Sequence, residues 1–138
     1  MFIKQKRALR WMMIAALNMG LVVLLGAFGA HGLRTIVDDS TLDIWETAVL
    51  YQFFHGVGLF LIGLISLTIQ HKLQLIERHL QLIGVLFALG IIFFCGSLYG
   101  LVLSGVKILG IITPIGGAFF IMGWFLLFLA LFRYYRNI

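Results

Sequence analysis

The chain is short of almost everything a soluble enzyme uses. Its 138 residues include five acidic side chains, one proline and one cysteine, and charged residues make up 11%, against about 25% in soluble domains. A single proline excludes a proline-rich linker. A lone cysteine, Cys95, excludes an internal disulfide framework and a cysteine-based zinc site, and in apolar surroundings its thiol is inert. What is abundant is apolar: 62% of residues are hydrophobic and the mean hydropathy is +1.11. A globule of this length has too little interior to hide that surface. In a membrane the lipid is the solvent, and none of it needs hiding. The composition therefore excludes a secreted or cytosolic globular enzyme, a disordered chain and a nucleic-acid-binding domain.

About 20 apolar residues carry a helix across the hydrocarbon. Four stretches qualify, at 11–30, 45–69, 80–104 and 114–132. A transmembrane barrel needs a polar residue at every second position, whereas Leu21–Leu25 and Phe119–Leu131 are unbroken apolar runs. The fold class expected is all-α, an integral membrane four-helix bundle in a single domain, 1–138, with short connections at 31–44, 70–79 and 105–113. The basic start and the small Ala27 and Gly29 loosely fit a signal peptide, but the apolar run exceeds the ~7–15 residues of a signal core. We read an uncleaved first helix.

Eight cations sit on one side of these spans: Lys4, Lys6, Arg7, Arg10, Lys72, Arg78, Arg133 and Arg136. Two, Arg34 and Lys107, sit on the other. Cytoplasmic loops carry the excess of Lys and Arg, so both termini are expected in the cytoplasm. The net charge of +5 is thereby explained by topology and anchoring to anionic lipid; no nucleic-acid partner is implied. Ser40 and Asp43 are possible caps of the second helix, with Glu46 placed as in a capping box. Thr113-Pro114 reads as the opening of the fourth. Gly105 and Gly110 mark a turn.

Small residues recur at spacing four, as in Ala16/Gly20, Gly26/Ala30, Gly84/Ala88 and Gly96/Gly100, with Gly29, Gly116 and Gly117 nearby in the spans. They permit close backbone approach between helices in lipid, either within the bundle or against another protein or a second copy. Trp11, Trp45, Tyr134 and Tyr135 stand at span ends, where aromatic belts form. Trp124 is nearer mid-span and is expected against a neighbour's glycine.

Polar groups in lipid are costly, and so they are the default functional candidates. Trp45, Ala48, Gln52, His55 and Leu59 share one face of the second helix. His55 lies ~15 Å deep and Asn18 ~10 Å deep from the other side. Asn18 could therefore hydrogen-bond His55 or Gln52, as a structural link or as part of a proton or solute relay. His31, Glu46, Ser97 and Tyr99 form a second set near the opposite surface. There a His31–Glu46 contact, joined by Tyr99, would fasten the first hairpin, and Glu46→Gln would then cost more stability than Asp38→Asn. His71 and His79 are expected to be solvated. Two axial histidines at one depth are not available, since His31 and His55 differ by ~15 Å, and no second ligand stands at helical spacing from Glu46. No cofactor, metal or catalytic constellation is expected.

Four runs carry a resemblance. They are Gly26-Ala27-Phe28-Gly29-Ala30-His31-Gly32-Leu33, Trp45-Glu46-Thr47-Ala48-Val49-Leu50-Tyr51-Gln52-Phe53-Phe54-His55, Gly96-Ser97-Leu98-Tyr99, and Gly110-Ile111-Ile112-Thr113-Pro114-Ile115-Gly116-Gly117 followed by Gly123-Trp124. Together they resemble the domain of unknown function 423 family of small bacterial inner-membrane proteins, similar to a small transmembrane protein of animal mitochondria. The resemblance implies a four-span, multi-pass inner-membrane protein and carries no established activity. Its polar motif residues are His31, Glu46, Tyr51, Gln52, His55, Ser97, Tyr99, Thr113 and Pro114. Leu50 stands where the family often has a charge, which leaves the start of the second helix more apolar and weakens a channel reading. Two functions compete. One is a non-enzymatic packing, accessory or assembly component that contacts membrane lipids and forms a homo-oligomer or joins a larger membrane complex. The other is a small oligomeric transporter or proton-coupled carrier using the polar residues of helices one to three.

Overall fold

The computed structural model describes residues 2–68 and 74–136. Four helical rods make up the described residues, each long and apolar enough to cross a membrane. The first is α1 (Phe2–Ala27), which continues through a π-helical turn at Phe28–Gly32 and a 3-10 turn at Leu33–Thr35. The second is α2 (Asp39–Thr68). The third is α3 (Gln74–Gly90), which passes through a second π-helical turn at Ile91–Cys95 into α4 (Gly96–Ser104). The fourth is α5 (Leu109–Tyr135). Helices dominate because lipid supplies no hydrogen bonds, so each segment must satisfy its own backbone. The protein is an all-helical integral membrane protein, as its composition leads one to expect.

The rods outrun the apolar stretches. Lys4, Lys6, Arg7 and Arg10 already lie inside α1, and α2 begins several residues before Trp45. Hydropathy marks only the hydrocarbon crossing. Helices extend past it into the headgroup layer, where long basic side chains reach water. The start of α5 also shifts, here through apolar residues. Pro114 lies inside this helix, and turns from Leu109, Gly110 and Ile111 back to Val106, Lys107 and Ile108 wind up its first residues. Gly105 ends α4 at φ +69°, and its N–H reaches the Leu101 carbonyl at 2.8 Å. This left-handed conformation favours glycine.

The cap of α2 is neither Ser40 nor Asp43. Asp38 accepts the backbone N–H of Thr41 and the hydroxyl of Ser40, both at 2.7 Å. Those two bonds, Ser40 first, hold its carboxyl below the ordinary 3.8. Such a group contributes fully above its unfolded value, and the contribution is lost as pH falls through the lower folded value. We expect Asp38→Ala, which deletes the cap, to lower the melting temperature more than Glu46→Gln. It should also flatten the acid limb of the stability profile below about pH 3.8. Melting curves of both variants across acid pH check this; identical acid slopes in wild type and Asp38→Ala would contradict the cap.

The helices pack chiefly as two pairs, α1 along α2 and α3 along α5, with α2 bridging to α3 and α4. The main core, including Ala15, Ala48, Leu59, Ile62, Leu80 and Phe87, sits between the pairs. A smaller cluster of Leu33, Leu42 and Trp45 closes the bundle at the α1–α2 loop.

Candidate functional site

The i, i+4, i+7 face of α2 turns Ala48, Gln52, His55 and Leu59 inward, and all four are buried. Asn18 of α1 meets Gln52, not His55. The two side chains bond reciprocally, with Gln52 Nε2 donating to Asn18 Oδ1 at 3.0 Å and Asn18 Nδ2 donating to the Gln52 backbone carbonyl at 3.2 Å. Tyr99 of α4 completes the set, its hydroxyl donating to Gln52 Oε1 at 2.7 Å. Gly56 makes the approach possible, because a Cβ there would collide with the Asn18 amide and would meet the Met19 sulfur at 2.9 Å.

One turn deeper, His55 is fixed from both ring nitrogens. Nδ1 lies 2.7 Å from the Tyr51 carbonyl, and Trp124 Nε1 lies 3.0 Å from Nε2. A carbonyl can only accept and an indole N–H can only donate. The ring is therefore the neutral tautomer with its proton on Nδ1. Phe120 stacks on it at 3.4 Å between centroids, and Phe87 meets it edge-on at 5.4 Å. Protonating Nε2 would set two donors against each other in an aromatic box, so the site resists the charge that a proton relay requires. Trp124 also lies against glycine: a Cβ on Gly58 would stand 3.6 Å from its ring.

At the α1–α2 loop the structure corrects the expected clasp. Among the described residues no hydrogen bond or ion pair joins His31 to Glu46, and both side chains are exposed. Trp45 takes that role. Its indole N–H donates to the Leu25 carbonyl at 2.9 Å, and its ring covers Gly29 and packs on Tyr99 at 4.5 Å. One residue along a helix is a rotation of about 100°, enough to send Trp45 inward and Glu46 outward. Trp45 and Trp11 are 1% and 5% exposed, so they are core anchors, not members of an interfacial belt. Tyr99 joins Gln52 instead of the His31–Glu46 set. Ser97 is buried apart from both, donating to the Phe94 carbonyl at 2.9 Å and lying 2.8 Å from the Thr113 hydroxyl.

A further polar chain lies at the opposite end and did not emerge from the sequence. Ser66, fully buried, donates to both Glu77 carboxylate oxygens at 2.9 and 2.7 Å. Gln81 donates to Glu77 Oε1 at 2.9 Å and accepts the Trp11 indole N–H at 2.9 Å. The chain ties α2, α3 and α1. Its traces in the sequence are the Glu77/Gln81 spacing of four and the place of Ser66 on the same face as Leu59 and Ile62. His79 is half-buried, not solvated; His71 and Lys72 lie outside the described residues.

The small residues divide. A Cβ on Gly84 would strike Trp11, at 2.8 Å from Cδ2, and one on Gly116 would lie 2.7 Å from backbone atoms of Phe93 and Phe94. A Cβ on Gly100 would press on Leu109 at 3.0 Å, whereas Gly117 and Gly26 meet theirs at 3.7 and 3.6 Å. Gly96 is exposed, and an added Cβ there would find only a backbone oxygen at 4.0 Å. It is not a packing contact, because its side of α4 faces outward. Ala88 lines a lateral groove of about 210 Å³ between α1 and α3. Gly26, Gly29 and Ala30 line a larger one of about 340 Å³ between α1 and α2, with Trp45, Glu46 and Phe53 opposite. Among the described residues no three His, Cys, Asp or Glu side chains cluster as metal ligands.

Residues 25–117 match a family model described as a protein of unknown function, DUF423. The stretch takes in Trp45, Gln52, His55, Glu77, Tyr99 and Gly116. A UPF0382 membrane protein of Staphylococcus aureus is 46% identical over 124 residues, covering 90% of this chain and 96% of that protein. One from Staphylococcus saprophyticus is 43% identical over 123 residues, with 89% and 97% covered. A third, from Staphylococcus haemolyticus, is 47% identical over 109 residues, with 79% and 84% covered. No solved structure matches the chain. The four membrane-crossing helices, the match over most of their length and the near full-length likeness to bacterial membrane proteins lead to one assignment: the chain belongs to the DUF423 family, membrane proteins of unknown function.

Proposed function

We propose that this protein is a non-enzymatic accessory or assembly component of the membrane, a rigid four-rod module that works in a homo-oligomer or a larger membrane complex with both termini in the cytoplasm. The observation that carries this reading is the closure of the polar interior. Among the described residues every buried side-chain nitrogen and oxygen has a protein partner. A carrier needs groups that exchange partners. Here Gln52 is held by Asn18 and Tyr99, and His55 is locked neutral between Tyr51 and Trp124. Glu46, a carboxylate the carrier reading would want deep in the bundle, is exposed outside the interior. The orientation rests on the eight-to-two distribution of Lys and Arg.

Purified protein in vesicles loaded with a pH-sensitive dye should dissipate a proton gradient no faster than protein-free vesicles. In mild detergent it should run as an assembly of fixed stoichiometry larger than one chain. Proton or solute flux abolished by His55→Phe would overturn the reading and favour the oligomeric carrier. A reporter fused after Ile138 should report the cytoplasm; an external signal would reverse the orientation.

A further inference from the structure

The groove between α1 and α2 opens sideways, near the loop that joins them. Its floor is rigid. Trp45 is tied to the Leu25 carbonyl, and a Cβ on Gly29 would meet the Trp45 ring at 2.7 Å. Its walls are apolar, and its volume of about 340 Å³ stands at the small end of the ~300–1,000 Å³ typical of small-molecule sites. A hydrocarbon chain is the apolar ligand that the surrounding lipid presents to a groove that opens sideways. One charged side chain borders it, Glu46. Of the other acids, Asp38 caps α2 and Glu77 is held by Ser66 and Gln81, while Asp39 and Asp43 are exposed and do not line the groove. Among the described residues Glu46 has neither a hydrogen bond nor an ion pair. It stands about 10 Å along α2 from Asp39, where the charge-free part of that helix begins, which is the level of lipid headgroups.

We propose that this groove is a lipid site: it takes an acyl chain of a phospholipid from the leaflet on the side of the α1–α2 loop, and Glu46 pairs with a primary-amine headgroup of that lipid. The slot accounts for the tail and the carboxylate for the head. An ammonium brought beside Glu46 gives it the counter-charge that no described residue supplies, while a phosphoglycerol headgroup brings only negative charge and is disfavoured. The inference goes beyond the assembly reading and does not depend on it.

The test is retention of lipid. The full chain is reconstituted in vesicles of equal phosphatidylethanolamine and phosphatidylglycerol, extracted in mild detergent, and its bound lipid measured by native mass spectrometry. Wild type should retain phosphatidylethanolamine over phosphatidylglycerol by about fivefold, the scale of one exposed ion pair. Glu46→Gln should fall to the vesicle ratio, whereas Asp43→Asn, an acid outside the groove, should keep the preference. Gly26→Leu should reduce retention of both lipids by filling the slot. Its first carbon meets only Val49, at 3.6 Å, and an unchanged melting temperature shows that it still folds. Equal retention of the two lipids by wild type overturns the proposal, as does a preference that survives Glu46→Gln. A second copy or another protein held through the groove, lost in Gly26→Leu with no lipid bound, also overturns it.

Discussion

Gly116→Ala is expected to cost about 3 kcal/mol, the upper end for overpacking, or to prevent the protein from accumulating. The cost follows from what the new methyl would meet. It would lie 2.7 Å from the carbonyl carbon of Phe93 and from Cα of Phe94, with the Phe94 amide nitrogen nearer still. These are backbone atoms of the π-helical turn at Ile91–Cys95. A flexible side chain could move aside; a helix backbone moves only if the α3/α5 pair separates. The neighbouring glycine is the control. Gly117→Ala places its methyl 3.7 Å from the Phe94 ring, ordinary contact, and helix propensity favours alanine over glycine by about 1 kcal/mol. Thermal unfolding in detergent should therefore separate two adjacent, chemically identical substitutions, one severely destabilised and the other level with wild type or above it. Equal melting temperatures would mean that the two rods do not touch at Gly116.

The second large effect belongs to Gln52→Leu. Leucine fills a similar volume but removes the amide that serves both Asn18 and Tyr99. Two groups are stranded, Asn18 Oδ1 and the Tyr99 hydroxyl. Each buried unsatisfied group costs about 1–3 kcal/mol in water-soluble proteins, while hydrogen bonds between membrane helices average only about 0.6. Weighing the two, we expect a loss of about 2 kcal/mol. The diagnostic is non-additivity. Tyr99→Phe should cost about 1 kcal/mol alone and nothing in the Gln52→Leu background, where its hydroxyl has already lost its acceptor. Asn18→Leu should likewise cost less in that background than alone. Strictly additive losses in a double-mutant cycle would show that the three side chains do not act together.

Much of this arrangement was legible in the residues, and the exceptions have physical causes. Long charge-free runs define membrane crossings whatever the neighbours do, so the four rods could be placed from sequence. Gln52 and His55 could be assigned inward because an amide or imidazole at such depth has no water to bond. Which partner each would take was not legible. Depth along the membrane normal is one coordinate, and whether Tyr99 turns to Gln52 or to the His31–Glu46 set, or His55 to Trp124 or to Asn18, depends on rotation about the helix axes. The Trp45/Glu46 exchange of roles is the sharpest instance, since adjacent residues at nearly equal depth face directions about 100° apart. Helix starts were misjudged where polar residues continue a helix past the apolar stretch, as at Asp39, and where Thr113-Pro114 reads as an opening although turns before it already start the helix at Leu109. The Ser66–Glu77–Gln81–Trp11 chain was hidden because Glu77 falls outside the apolar run and looks like surface, while Gln81 stands just inside its edge.

The distribution of the polar links bears on how the chain is made. The α1/α2 pair is latched internally by Asn18–Gln52 and by Trp45 on the Leu25 carbonyl. The later rods carry a latch of their own, Ser97 with Thr113. Further bonds join the two halves, among them Trp11 to Gln81, Ser66 to Glu77, Tyr99 to Gln52 and Trp124 to His55. During synthesis the first half enters the bilayer before its partners exist. Until then Gln52 Oε1 and His55 Nε2 are bare acceptors in lipid, and the Trp11 and Ser66 donors are without their acceptors. The half-translated hairpin thus lacks polar partners that the finished bundle supplies. Arrival of the third and fourth rods relieves those bonds together, which makes the nascent two-helix stage the point at which insertion or membrane quality control would act.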